Sequence, residues 1–264
     1  MGENTETGTI RDMDQRIIKR IERTSGLPFA DFPKQGVAIT VSPARNDKPK
    51  NRLLVERVME NEGVLITGIP RIVDAISERV RSMSPWEIFT PFGIEEVKRF
   101  LPPDDAASLD ETWGLEYILR SHGDFHPVRD SHPVSVLRER DIPPEDYELR
   151  ISERRSTEAD DFIWAYACYH DLPGIPQVRL PEYGPRCACV SAVIWEDDAI
   201  AGFGVGTEEA LQGKGYATAV ISAATEWVLT QEALPVYGAS SNNTASIRIA
   251  RRLGYTYFRS SFGA

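Results

Sequence analysis

Two hydrophobic periods run along this chain, and they are clearest in its second half. Residues 199–207 (AIAGFGVGT) form a small, apolar run that reads as a strand. Tyr216, Ala219, Val220, Ala223, Ala224, Trp227 and Val228 then recur at helical spacing. Between the two runs stands Gln212-Gly213-Lys214-Gly215-Tyr216-Ala217, so the order is strand, short loop, glycine turn, helix. Residues 234–240 predict a further strand. A last helix follows, with Asn242 or Asn243 suited to its N-cap, Gly254 suited to the position past its end, and Ser246, Ile249, Ala250 and Leu253 on one face. Residues 255–258 read as the strand after it. Upstream, residues 187–195 and 199–207 flank the turn Glu196-Asp197-Asp198 as a hairpin. Residues 157–169 have a capping-type start and an apolar face at Phe162, Ile163, Tyr166 and Tyr169, which predicts a helix. Residues 147–152 alternate like a strand, and 172–184 form a Pro/Gly-rich loop.

The first half is a less regular mixture. Residues 1–9 are polar and 10–23 read as a helix through Ile10, Met13, Ile17, Ile18 and Ile21. Strands are expected at 37–41 and 64–69, and helices at 52–61, from Pro70 to about Met83, and at 94–100. Residues 113–119 suit a strand. The Pro-rich, charged stretch Asp141-Ile142-Pro143-Pro144-Glu145-Asp146 is the best boundary, giving domains of 1–145 and 146–264.

Composition adds limits. A chain of 264 residues with 41% hydrophobic and 27% charged residues has the makeup of a soluble globular protein. Its net charge of −10 argues against a general nucleic-acid binder and is compatible with a cationic amine substrate. No apolar run approaches membrane-spanning length and the first residues do not read as a signal peptide, so no membrane partner and a cytoplasmic location are expected. Three cysteines, Cys168, Cys187 and Cys189, cannot all pair, and reduced buried thiols are the expectation.

The candidate chemistry sits at the glycine turn. A helix start exposes backbone N–H groups at the positive end of the helix dipole, and two glycines remove side chains that would keep an anion away. The turn therefore reads as a phosphate cradle made of backbone. It is not a Walker A loop, because Gly215 follows Lys214 and Glu208 stands where the first glycine is needed. Nor is it a Rossmann fingerprint, because Thr218 occupies the third glycine position. A second cluster, SHGDFHPVRDSH at 121–132, holds His122, Asp124, His126, Asp130 and His132; its spacing fits no standard zinc pattern, a polar turn is the simpler reading, and no metal is expected.

Two pieces together, Q-G-K-G-Y-A at 212–217 and N-x-x-S at Asn243–Ser246 followed by R-R-L-G-Y, resemble the Gcn5-related N-acetyltransferase (GNAT) superfamily over about residues 147–264. The resemblance implies a mixed α/β (α+β) fold: a mostly antiparallel, twisted sheet flanked by helices, here preceded by an α/β domain that caps the acceptor site or is a degenerate copy of the same fold. It implies acetyl-CoA as acyl donor and a small-molecule or peptide amine as acceptor, with the oligomeric state, a homodimer included, left open. Gln212, Gly213, Lys214, Gly215, Tyr216 and Ala217 would wrap the pyrophosphate. Val205, Gly206 and Thr207 on the central strand would lie along pantetheine, with a backbone N–H near Val205 facing the thioester oxygen. Asn243 and Ser246 would flank the same arm, and Trp164, Tyr166 and Tyr169 would border the acceptor pocket.

Departures from the family pattern matter as well. Many members carry Glu on the central strand as a base, and residues 201–206 hold no carboxylate. Many carry Tyr seven residues after the Asn, where this chain has Ala250. Ser246 is then the expected hydroxyl donor at the sulfur and Glu208 the nearest candidate base. Gly202, Gly204 and Gly206 alternate, leaving one face of the central strand bare. Room for a larger acyl group, or for close approach of substrate, is one reading of that face; a bulky neighbour filling it is the other.

Overall fold

A computed structural model describes residues 15–45, 52–59, 62–109, 112–128, 134–138, 163–168, 187–197, 199–207 and 209–264. The chain divides into two compact units. The first takes residues 1–117 together with 239–244 and 257–264; the second takes 118–238 and 245–256.

In the first unit the strands are β1 (Val37–Val41), β2 (Leu53–Val58), β3 (Val64–Gly68), β4 (Gly114–Ile118) and β10 (Thr256–Gly263), in the order β1-β3-β2-β10-β4. β1 runs parallel to β3, while β2 is antiparallel to both β3 and β10. One face carries the core: Leu53, Val55, Val64 and Ile66 pack with Ile72, Ile76 and Val80 of α2 (Pro70–Arg81) and with Ile94 and Val97 of α4 (Pro91–Phe100). Pro70 opens α2 at a position where its missing N–H costs nothing, as its sequence place predicts. Short helices α3 (Pro85–Ile88) and α5 (Pro103–Ala107) complete this side, with Ser84 and Glu87 closing a capping box at the start of α3.

Helix α1 (Gln15–Ser25) buries Ile17 and Ile21, four residues apart, and also Arg20. Arg20 makes a two-point pair with Glu116 of β4, its Nη atoms 2.7 and 3.0 Å from the carboxylate oxygens. Arg259 of β10 then reaches both Glu116, at 3.4 Å, and the fully buried Glu56 of β2, at 2.6 Å. Burial pushes the Glu56 carboxyl up in pKa, against the pull of Arg259 and Arg45. Burial acts in the same sense on Glu116, but Arg259 and Arg20 outweigh it and hold that carboxyl below its ordinary value.

Residues 53–58 correct the expectation of a helix at 52–61. Adjacent Val55 and Glu56 are both fully buried, so β2 is covered on both faces and loses the alternation of a half-buried strand. The charged pair Glu56-Arg57 resembles a solvated helix face in sequence, yet Glu56 is buried against Arg259.

In the second unit the strands are β5 (Ser135–Arg138), β6 (Ile163–Cys168), β7 (Cys187–Asp197), β8 (Ile200–Thr207) and β9 (Leu234–Ser240), in the order β9-β8-β7-β6-β5. All adjacent pairs are antiparallel except β8 with β9. Helix α6 (Tyr216–Thr230) covers one face of β8: Tyr216, Val220, Ala224 and Val228 pack with Cys189, Ala201, Phe203 and Val205. Helix α7 (Thr244–Arg252) follows β9. The resulting mixed α/β fold, with mostly antiparallel pairing and flanking helices, is the class expected.

Strand β6 corrects the expectation of a helix at 157–169, at least over 163–168; residues 157–162 and 169 lie outside the described residues. Ile163-Trp164-Ala165-Tyr166-Ala167-Cys168 alternates large and small residues at period two as well as it fits a helical face. Pairing with β5 on one side and β7 on the other decides in favour of the strand. The boundary stretch 141–146, the strand at 147–152 and the loop at 172–184 also lie outside the described residues. Among the described residues no helix is long and apolar enough to cross a membrane, and no group of three or more His, Cys, Asp or Glu is placed to hold a metal ion.

Candidate functional site

The site is organised by the end of β8. Its pairing with β9 runs in parallel from Ile200↔Leu234 to Gly202↔Val236. Among the described residues the register goes no further, although β8 continues to Thr207 and β9 to Ser240. On its other side β8 stays paired with β7 as far as Cys189↔Thr207. The backbone of residues 203–207 therefore has a partner on one side and an open edge on the β9 side, where an extended ligand arm can add as a strand does.

The two faces of this stretch differ. Phe203 and Val205 turn toward α6 and pack on its cluster. Gly206 is exposed, and a Cβ built there would meet nothing within 4 Å. The same is true of Gly238 on β9. At Gly206 the bare face is open space, which answers one of the two readings of the alternating glycines at that position. The Thr207 hydroxyl donates to Cys189 Sγ at 3.1 Å, fixing the strand end to β7. Burial pushes the Cys189 thiol up to about 11, so it stays a neutral core group at ordinary pH.

From Thr207 the chain reaches α6 through a short 3₁₀ turn (Glu209–Leu211) whose Leu211 is fully buried. Gln212 N–H donates to Glu209 O at 3.2 Å, and its side-chain amide donates to Thr207 O at 3.4 Å. Gly213 and Gly215 adopt left-handed backbone, at φ 74° and 92°. Here glycine is required: an L side chain at either position would be strained by roughly 1–2 kcal/mol. Gly215 is also the N-cap of α6, and the first bond of the helix runs from Ala219 N–H to Gly215 O at 3.1 Å. A Cβ at Gly213 would point into open space. Left-handed residues so close together curl successive amides to one side, and the first turn of a 15-residue helix adds its own amides. The turn can hold a diphosphate.

Gln212, Gly213 and Lys214 are exposed and Ala217 is half-buried. Tyr216 is in the core, only 5% exposed, so its part in any cradle is its backbone. The Gln212 N–H is taken by Glu209 O, and its side chain ties the turn to Thr207 at the end of β8. Asn243, exposed, stands immediately before α7, and Ser246 lies half-buried in the first turn of that helix. Ala250, where many GNAT members have Tyr, is fully buried. Glu208, the candidate base, and His132 and Asp130 of the histidine cluster lie outside the described residues, as does Tyr169.

His122 and His126 are exposed on a segment that bonds to the middle of α6 and to the residue after α7. His126 N–H donates to Leu253 O at 3.0 Å and Val128 N–H donates to Ser222 Oγ at 2.8 Å. Gly254, at φ 93°, lies so close that a Cβ there would come within 1.7 Å of Asp124 O. The segment thus folds over this unit but holds on by its backbone.

One residue was missed in the sequence. Tyr237 is the first residue of β9 beyond the paired stretch, is 1% exposed, and its hydroxyl donates to Ser246 Oγ at 3.2 Å. A tyrosine inside an apolar strand reads as core from sequence; its place at the point where the two strands part was the only clue. Its ring lies 6.5 Å from Phe203 and 5.9 Å from Tyr255. Tyr255 in turn shares a 2.7 Å hydrogen bond with Thr225 of α6. Burial raises the pKa of both phenols.

Residues 131–256 match the model of the acetyltransferase (GNAT) domain. No curated protein matches the chain. Among solved structures, the GCN5-related N-acetyltransferase-like protein from Streptococcus suis 89/1591 is similar at 13% identity, covering 95% of this chain and 99% of that one, with a TM-score of 0.44. An acetyltransferase from the GNAT family of Colwellia psychrerythraea (12% identity, 61% and 59% covered, TM-score 0.39) and a GCN5-related N-acetyltransferase from Kribbella flavida (13%, 57% and 57%, 0.35) are similar over less. The chain thus spans under two thirds of the length of these last two.

Proposed function

From the premise that residues 131–256 are a GNAT acetyltransferase domain, we propose that this chain is an acyl-CoA-dependent N-acyltransferase that moves an acetyl or small acyl group to a primary amine by direct attack. The observation that carries the reading is the junction of an open β8 edge with a left-handed glycine turn at the start of α6. Acyl-CoA supplies an activated thioester. The chain's own residues bind and orient it. Amides of residues 213–217 hold the diphosphate, Lys214 adds charge at its edge, and the backbone of Val205, Gly206 and Thr207 pairs with the pantetheine arm. A backbone N–H on this strand faces the developing oxyanion, which is the largest single contribution such a site makes. Ser246 donates to the departing thiolate, and Asn243 flanks the same arm at the start of α7.

The incoming ammonium must lose a proton before it attacks. No carboxylate stands on β8 itself. Glu208 or a water takes that proton. The acceptor is a small molecule or peptide amine rather than a nucleic acid or membrane, in keeping with the net charge of −10. A cytoplasmic location suits an enzyme that draws on acyl-CoA.

A second reading has a specific support: the absent strand carboxylate, together with Ala250 in place of Tyr, suits a non-catalytic acyl-CoA sensor. Calorimetric titration with acetyl-CoA, set beside CoA release with a panel of amines, separates the two. Binding with turnover supports the enzyme; binding without turnover on any amine supports the sensor.

A further inference from the structure

Tyr237, the first residue of β9 beyond its pairing with β8, bonds to Ser246 in the first turn of α7. The donor is the phenol and the acceptor is the serine oxygen. A serine hydroxyl has one proton to give and two lone pairs to receive with. A phenol on one lone pair fixes where the oxygen sits and polarises the O–H bond. The phenol is itself held: its ring lies between Phe203 of β8 and Tyr255, and Tyr255 is tied to Thr225 of α6. The chain Thr225, Tyr255, Tyr237, Ser246 therefore runs from the middle of α6 to the first turn of α7 through buried rings. Burial keeps the Tyr237 phenol protonated well above neutrality, so it remains a donor across the working pH range.

We propose that Tyr237 is a positioning residue that holds Ser246 Oγ in place to donate a hydrogen bond to the departing thiolate of CoA. The inference rests on the acyltransferase reading above and deepens it. It accounts for Ala250: where many members of the family place a tyrosine on the last helix, this chain places its phenol on β9 and reaches the sulfur through a serine. No proton changes owner in this arrangement; the hydroxyl stabilises the thiolate as a hydrogen-bond donor.

The test uses the full chain with Tyr237→Phe, Ser246→Ala and the double variant, each checked by thermal melting. Bound CoA is titrated through the ultraviolet absorbance of its thiolate, a readout independent of turnover. With Ser246 held in place the bound thiol should ionise about one pH unit lower than in either variant. CoA release should fall about tenfold in kcat in each single variant, a loss of the size a well-placed hydrogen bond supports. KM for acetyl-CoA should stay within about twofold, because diphosphate binding lies elsewhere, and the double variant should be no worse than Ser246→Ala alone. A thiol pKa unchanged by Tyr237→Phe, or losses that multiply in the double variant, overturns the proposal. Should Tyr237→Phe fail to fold, Ser246→Ala keeps the phenol and α7, and an unshifted thiol in that variant overturns it equally. If the parent binds CoA but turns over no amine, the acyltransferase reading fails first and the role of Tyr237 in it fails too.

Discussion

Gly206→Val separates what the strand needs for stability from what the site needs for function. Gly206 lies on β8 opposite Val190, outside the left-handed region, and a Cβ there meets nothing within 4 Å. The added side chain meets neither backbone strain nor a clash. Glycine in a strand is less favourable than alanine by roughly 0.5–1 kcal/mol, and valine suits a strand at least as well. The variant should therefore be as stable as the parent or more so by about 0.5–1 kcal/mol, which for a chain of this size is a rise in Tm of roughly 2–4 °C at most. The same side chain fills space beside the edge proposed for pantetheine. CoA release from acetyl-CoA should drop by roughly tenfold or more, and longer acyl donors should lose more than acetyl. Urea denaturation and the CoA-release assay on one preparation decide it. A destabilised variant would show that the bare face is occupied in the folded chain. A stable variant with parental turnover on every acyl donor would show that the face has no part in the reaction.

Other consequences concern the scaffold. Gly254→Ala combines a left-handed φ of 93° with a Cβ 1.7 Å from Asp124 O, and should destabilise by about 2–4 kcal/mol in urea denaturation. An unchanged midpoint would mean that the 122–128 segment is not seated on α7. Arg259→Leu leaves Glu56 buried without its closest cation and should cost about 3–5 kcal/mol, while Arg259→Leu with Glu56→Leu should recover most of it. Alkaline stability follows from the raised thiol. The unfolded chain loses the Cys189 proton near pH 9 and the folded chain near 11, so stability falls as pH rises through that window, by up to about 1.4 kcal/mol per pH unit. Tyr237 and Tyr255, raised by burial, act in the same direction above their ordinary value. Cys189→Ala should flatten the fall between pH 9 and 11, and an equal slope in parent and variant would contradict the assignment.

The features legible in the sequence were local ones. Strands at 37–41 and 234–240, the hairpin before Thr207, the glycine turn and the two helices after it follow from period, capping residues and glycine placement. Residues 53–58 and 163–168 were not legible, because their strand character comes from neighbours on both edges and not from their own pattern. The role of Glu56 was hidden for a related reason: its partner Arg259 lies about two hundred positions later. At the candidate site, the left-handed turn was legible, since Gly213 and Gly215 mark it. Tyr237 was not, because its importance depends on where two strands separate, which no residue of β9 announces.

The claim beneath all of this is that main-chain amides at the start of α6 hold the diphosphate of coenzyme A. A crystal structure with coenzyme A bound tests it directly. The account predicts amide nitrogens among residues 213–217 within hydrogen-bonding distance of the diphosphate oxygens and the pantetheine arm along residues 205–207. A diphosphate bound elsewhere, with the 212–217 turn closed by its own side chains, would contradict it.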